Sequence, residues 1–179
     1  MSGDVTTSGE QGFLVRFLDR LASLPIPTLI VPGNNEGPGL PTKGNVQDID
    51  GRVVEFGGLT FGGLGGSSPT PFNTVNEYPE AELWRRLQSL GKVDVLVSHS
   101  PPFGTSLDTS GYGGHLGSRS VARYVKEMKP RLLLCGHIHT ATAVEVVYGC
   151  TCCNPGAASS GSYAIVTMGP EIKVELQGL

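Results

Sequence analysis

The sequence has no apolar run approaching the ~20 residues that a helix needs to cross a bilayer. Its start, "MSGDVTTSGE", has no basic stretch followed by an apolar one, so it does not read as a secretory signal. Charge is scarce: Asp, Glu, Lys and Arg make up 16% of the chain, against ~25% in ordinary soluble domains. Lys and Arg number 13 against 16 Asp and Glu, a net charge of −3. That balance leaves no basic footprint for nucleic acid or an anionic membrane surface. Cysteine occurs four times, and Cys150, Cys152 and Cys153 crowd into "CTCC", adjacent and alternating along an expected strand. With Cys135 they read as small buried residues, which leaves a cysteine-based metal site with the least support. Free thiols of this kind fit a reducing, cytoplasmic setting.

What the chain has in quantity is glycine, 26 of 179 residues, so tight turns and close backbone approaches must be frequent. The length suits a single domain over 1–179 with a real core. "GEQGFLVRFLDRLASL" places Phe13, Leu14, Phe17, Leu18 and Leu21 at helical spacing. Pro25 and Pro27 stop that helix. "TLIV", Thr28 to Val31, reads as a buried strand that breaks into a polar loop. "RVVEFGGLTFGGLGG" reads as a hairpin around Gly57-Gly58. "YPEAELWRRLQSL" is a helix with Pro79, Glu80 and Glu82 at its positive end. "VDVLVS" and "RLLLC" are apolar strands, and "GSRSVARYVKEMKP" between them is an amphipathic helix. The last third is mostly strand, cut by Gly and Pro. The expected class is α/β, with apolar strands covered on both faces.

Four polar turns follow, or shortly follow, expected strands. They carry Asp4 in "SGDV", Asn34 in "PGNNE", His99 in "VSHSPP", and His137 with His139 in "CGHIH". In α/β sheets, ligands gather outside the carboxyl ends of strands. If the turns meet at one sheet edge, they supply a carboxylate, an amide oxygen and three imidazoles. Mixed nitrogen and oxygen donors suit manganese, iron, zinc or nickel. In an extended "GHIH", residues two apart share a side, so both imidazoles can face one cavity.

Taken in order, "GDVT", "GNNE", "SHSPP" and "GHIH" resemble the signature of the calcineurin-like metallophosphoesterases, and "NPG" at 154–156 matches a strand-end turn of that family. "FGGLGGSSPTPFNT" and "GGHLGSRS" are similar to its small archaeal and bacterial branch. The resemblance implies a four-layer α/β/β/α sandwich. It also implies hydrolysis of a small phosphate ester, a phosphodiester or phosphomonoester, by a metal-bound hydroxide between two divalent ions. By motif, Asp4 bridges the two metals, Asn34, His99 and His137 complete one, and His139 serves the other. The family's early Asp-x-His is absent, and the expectation is a domain lacking its first strand-helix-strand. Apolar edges exposed by that loss would favour a homo-oligomer. The expectation for the chain is also that it holds at most one metal firmly and hydrolyses esters weakly or not at all, because its bridging carboxylate lies near a fraying terminus. Asn35 stands where many relatives carry a phosphate-contacting histidine; an amide donates a hydrogen bond but transfers no proton near neutral pH. His115 in "YGGHLGS" is the candidate substitute acid or phosphate contact, and Arg119, at the next helix start, is a candidate phosphate ligand. The competing reading is a non-catalytic scaffold on the same fold.

Overall fold

The computed structural model describes residues 1–111 and 113–178. In chain order these form α1 (Gln11–Ala22), β1 (Thr28–Ile30), β2 (Val46–Asp48), β3 (Val53–Phe56), β4 (Leu59–Leu64) and α2 (Glu80–Leu90). They continue with β5 (Val95–Ser98), α3 (Arg119–Met128), β6 (Leu132–Leu134), β7 (Ala143–Val147), β8 (Cys150–Asn154), β9 (Tyr163–Met168) and β10 (Ile172–Gln177). The central sheet has six strands in the order β3-β4-β5-β6-β8-β7. Its four middle strands are parallel, with antiparallel strands at both edges. The parallel pair β1-β2 and the antiparallel pair β9-β10 stand apart from it.

Side-chain alternation explains the layering. On β5, Leu96 points to one face of the sheet while Val95 and Val97 point to the other; on β6, Leu133 opposes Leu132 and Leu134. Leu96, Leu133, Cys150 and Cys152 pack with Leu83 and Leu87 of α2 and Val121, Tyr124 and Val125 of α3. Val95, Val97 and Leu132 pack on the opposite face with Val31, Ile49, Val166 and Ile172. A third cluster joins Leu14 and Leu18 of α1 to Ile30 and Val46 of the β1-β2 pair. Three apolar interfaces separate four layers, and a strand buried on both faces has to be apolar throughout. All four cysteines are free and buried, three of them in the layer between the central sheet and helices α2 and α3.

The Gly57-Gly58 hairpin forms as expected, with φ of 59° and 77° at the two turn residues, values that favour glycine. Strand β2 has no counterpart in the sequence reading, because three residues with one buried aliphatic side chain carry too little pattern. Phe13, placed on the buried face of α1 by spacing, is 47% exposed and stacks on Phe17 at 6.3 Å. No helix among the described residues is long and apolar enough to cross a membrane.

One side chain joins the two helices on the sheet. Glu80, the first residue of α2, accepts hydrogen bonds from Ser118 Oγ (3.0 Å), Arg119 N (2.9 Å) and Ser120 N (2.8 Å). It thereby satisfies N–H groups that α3 leaves open, beside the Ser118 cap on Val121 N. Burial alone would raise the Glu80 pKa, but the bonds from Ser120, Arg119 and Ser118 outweigh it and hold it below 4.5. A carboxylate with a lowered folded pKa stabilises above its unfolded pKa and loses that contribution as pH falls through the folded value. Glu80→Gln is therefore expected to destabilise by about 1–2 kcal/mol at pH 7, with the gap to wild type closing below pH 4.5. Denaturant unfolding at pH 7 and pH 3 checks this; a gap that stays constant would rule it out.

Candidate metal centre

The carboxyl ends of β4, β5, β6 and β8 lie in register along one edge of the central sheet. The ladder continues past them: His99 N donates to Leu64 O (2.8 Å), Gly136 N to His99 O (3.0 Å), and Cys135 N to Cys153 O (2.9 Å). His99 and the His137 turn are thus neighbours because their strands are. A second edge contributes the "GD" and "GN" turns. Gly3 (φ 85°) lies against Gly33 so closely that a Cβ on Gly3 would collide with the Gly33 backbone. A Cβ on Gly33 would meet Asp4 Oδ1 and Asp4 N. Both motifs need glycine because two backbones touch there.

Asp4 Oδ2 lies 3.5 Å from His99 Nε2 and 3.7 Å from His139 Nε2. Asn34 Oδ1 lies 2.9 Å from His99 Nε2 and 2.8 Å from His137 Nδ1, and the two ring nitrogens are 3.1 Å apart. Asp4, His99 and His137 each place a ligand atom within 4.8 Å of the others, a cluster able to hold a metal ion. The structure brings Asp4, Asn34, His99, His137 and His139 together. Asn35 joins them through its N–H, 3.4 Å from Asp4 Oδ1, and lines the same cavity.

The hydrogen-bond roles test whether these residues fit a cation. His99 Nδ1 faces the carbonyl of Ser2 at 2.6 Å, and a carbonyl only accepts, so Nδ1 carries the proton. In the neutral ring Nε2 is then a lone pair. Thr74 Oγ1 donates to Glu77, so it accepts from Asn34 Nδ2 (3.0 Å), which turns Asn34 Oδ1 inward. Two acceptors, His99 Nε2 and Asn34 Oδ1, therefore meet at 2.9 Å beside the Asp4 carboxylate. A divalent ion satisfies all of these lone pairs at once, whereas an extra proton satisfies one contact, so the residues fit the metal.

Electrostatics follow the geometry. Burial pushes the His137 pKa down to about 4, with the neighbouring His99 adding to the shift, so the ring is neutral near pH 7. The Asp4 carboxylate holds half-exposed His139 above its ordinary value, against a smaller effect of burial. Burial would raise the Asp4 pKa, but His139, His99 and the Asn35 N–H together hold it below its ordinary range.

The "GHIH" segment is not extended. Ile138 N donates to Gly136 O (2.8 Å), closing a three-residue turn with His137 at φ 67°. Such a turn is uncommon and strained for a non-glycine residue. It, rather than strand alternation, points the two imidazoles at Asp4 and Asn34. Asn154 supports it: its Nδ2 lies within 3.3 Å of the carbonyls of Leu107, Gly136 and Ile138. The chain start is also tied down, with the Met1 amine on Leu29 O (2.7 Å) and Val31 N on Met1 O (3.1 Å). The Asp4 turn is therefore held at both sides, where a fraying terminus was expected from sequence.

His115 and Arg119 lie outside this cluster. His115 Nδ1 pairs with buried Asp108 Oδ1 at 2.7 Å, and its ring meets Phe103 at 5.6 Å. The Arg119 guanidinium lies 4.0 Å over the same Phe103 ring. His115 is next to Leu116, which lines the cavity. Two residues that the sequence reading passed over matter most to the geometry. Glu36, fully buried, accepts from Asp4 N, Thr6 N, Thr6 Oγ1 and Gly33 N at 2.7–2.9 Å, bolting the two glycine turns together. Its signal was the acid directly after "GNN". The signal for Asn154 was the "NPG" turn.

A family model described as metallophosphoesterase, calcineurin superfamily, matches residues 9–179. An uncharacterized protein of Methanocaldococcus jannaschii is 32% identical over 168 residues, covering 88% of this chain and 76% of its own. One crystal structure superimposes with a TM-score of 0.73 at 22% identity, over 93% of this chain and 71% of that one. A crystal structure of a Thermus thermophilus protein gives 0.63 at 19% identity, over 93% and 77%. The sulfate thiohydrolase SoxB of Thermus thermophilus, in complex with glycerol, gives 0.51 at 16% identity, over 98% of this chain and 38% of that one. These structures share the fold.

Proposed function

Because the chain belongs to the calcineurin superfamily of metallophosphoesterases, we propose that it hydrolyses a small phosphate ester with divalent metal at the cluster around Asp4. The observation that supports this most is the meeting of Asp4, Asn34, His99 and His137 donors, with His139 beside them, where all but the buried His99 line a cavity of about 1190 Å³. Asp4, Asn34, His99 and His137 would hold one ion, and Asp4 with His139 would contribute to a second. Bound divalent ions supply Lewis acidity, neutralise charge on the phosphoryl oxygens and acidify water.

The chain's own residues do the rest. Thr74 keeps the Asn34 amide oxygen inward, and the Ser2 carbonyl keeps the proton of His99 on the outer nitrogen. Asn35 offers an amide N–H to a phosphoryl oxygen but transfers no proton. His115, oriented by Asp108, can exchange a proton at Nε2, and Arg119 beyond Phe103 adds positive charge for a phosphate. His115→Ala is expected to retain wild-type metal content and to lose about 10²-fold in turnover, the low end for a general acid. Elemental analysis beside a rate measurement reads both; a drop in metal content would move His115 out of that role.

The test of the function is release of p-nitrophenolate from bis(p-nitrophenyl) phosphate with manganese, iron, zinc or nickel, and its loss in Asp4→Ala. No hydrolysis with any of the four would favour the second reading, a non-catalytic binding scaffold, for which Asn35 in place of a proton-transferring residue is the supporting observation.

A further inference from the structure

The cavity is larger than a phosphate group requires, at or above the ~300–1,000 Å³ of pockets that take drug-sized ligands. The wall built by the segment from Ser68 to Val75 carries Pro69, Pro71, Phe72 and Val75, continuous with Asp4, His137 and His139 in the same cavity. Phe72 is 82% exposed and Val75 72%, an unusual display of large apolar side chains beside a polar cluster. These side chains do not sit on a loose tip. Glu77 accepts from Thr70 N (2.9 Å), Thr70 Oγ1 (2.6 Å), Thr74 N (2.8 Å) and Thr74 Oγ1 (2.5 Å). The loop base is closed by Ser67 N on Asn76 O (3.1 Å) and Tyr78 N on Ser67 O (2.8 Å). Thr74 in turn holds Asn34, so the apolar wall and the metal cluster share one rigid support.

Charge narrows the ligand further. Among the described residues that line the cavity there is no Lys or Arg. A polyphosphate or an oligonucleotide would bring several negative charges with no Lys or Arg of the described lining to meet them, Arg119 lying outside that lining over the Phe103 ring.

We propose that the site is built for a singly charged phosphodiester bearing an apolar or aromatic arm, and that Phe72 and Val75 seat that arm. This rests on the phosphoesterase reading above. Hydrolysis adds the water oxygen to phosphorus and breaks one P–O ester bond; one water proton leaves with the alcohol or phenol, the other remains on the phosphomonoester or passes to solvent. The arm on Phe72 is unchanged by the step, so its contribution falls on KM more than on kcat.

The experiment compares phenyl p-nitrophenyl phosphate with methyl p-nitrophenyl phosphate, which share a leaving group, in wild type and Phe72→Ala with manganese. Binding of diphenyl phosphate and dimethyl phosphate is measured in parallel by calorimetry. In wild type the phenyl ester is expected to have about tenfold lower KM, and Phe72→Ala to remove most of that preference. Turnover of both esters with equal KM overturns the apolar seat and leaves the hydrolase reading standing. No turnover, but Phe72-dependent binding of diphenyl phosphate over dimethyl phosphate, overturns the hydrolase reading and keeps the seat. Neither turnover nor preferential binding overturns both. Unchanged metal content in Phe72→Ala shows that the variant is folded.

Discussion

Substituting glycine for His137 is expected to lower divalent-metal affinity by more than about 100-fold while leaving the metal-free protein at least as stable as wild type. The two halves have separate causes. His137 Nδ1 is one of four donors that meet at the cluster, 2.8 Å from Asn34 Oδ1 and 3.1 Å from His99 Nε2. Loss of a residue that merely supports a ligand typically weakens a metal site 10–100-fold, so loss of a ligand exceeds that. The stability half comes from the backbone. His137 sits at φ 67°, a conformation that costs a non-glycine residue about 1–3 kcal/mol and glycine almost nothing. Removing the ring also relieves a neutral imidazole held among other donors by burial. Elemental analysis after desalting and a calorimetric manganese titration read the first half; urea unfolding in chelator reads the second. Equal metal content in the two proteins would sink the assignment of His137 as a ligand. A large loss of stability without metal would show that the ring is a packing element instead. His139→Ala serves as the contrast, since that half-exposed ring touches Asp4 alone in the cluster.

Glu36→Gln is expected to destabilise the protein by about 2–3 kcal/mol and to weaken metal binding with it, although the two side chains have nearly the same shape. Each carboxylate oxygen of Glu36 accepts two hydrogen bonds: Oε1 from Thr6 N and Thr6 Oγ1, Oε2 from Asp4 N and Gly33 N. An amide has one oxygen. If its NH₂ faced Asp4 and Gly33, two backbone donors that cannot invert would confront two more donors. Turned toward Thr6, it meets one backbone N–H and one hydroxyl that can rotate to accept. The second orientation wins, and it still leaves the buried Thr6 N–H without a partner in a site with no exposure to water. A buried unsatisfied donor costs about 1–3 kcal/mol, and the surviving bonds lose the strength that the charged acceptor gave them. Because Glu36 bolts the Asp4 turn to the Gly33 turn, any relaxation moves a carboxylate away from the imidazoles. Denaturant unfolding with and without metal, alongside elemental analysis, is the measurement. A change within about 0.5 kcal/mol, the range of an ordinary surface substitution, would show that Glu36 does not organise the centre.

The helices, the two apolar strands β5 and β6 and the Gly57-Gly58 hairpin were legible in the order of residues alone. Each depends on a local rule: period 3.6 for α3, unbroken apolar character for a strand covered on both sides, paired glycines for a turn with positive φ. The donor list was legible for a related reason. Asn34, His99 and the two histidines of "GHIH" each follow an expected strand, and strand ends are where ligands gather; Asp4 was marked by its Gly-Asp motif alone.

Their exact roles toward one another lay beyond that reach. That Asn34 presents its oxygen inward depends on Thr74, 40 residues away, and that His99 keeps a free Nε2 depends on a carbonyl 97 residues away. That Gly3 and Gly33 must both lack a side chain is a fact about two backbones in contact. The same holds for Glu36, whose identity as a clamp exists only once four donors from two separated turns surround it, and for His115, whose partner is Asp108 rather than the metal cluster. Local preference acts through a few neighbouring dihedral angles and can be read along the chain. Hydrogen-bond direction, burial and the meeting of lone pairs are set by groups distant in sequence, so they come into being only when the layers close.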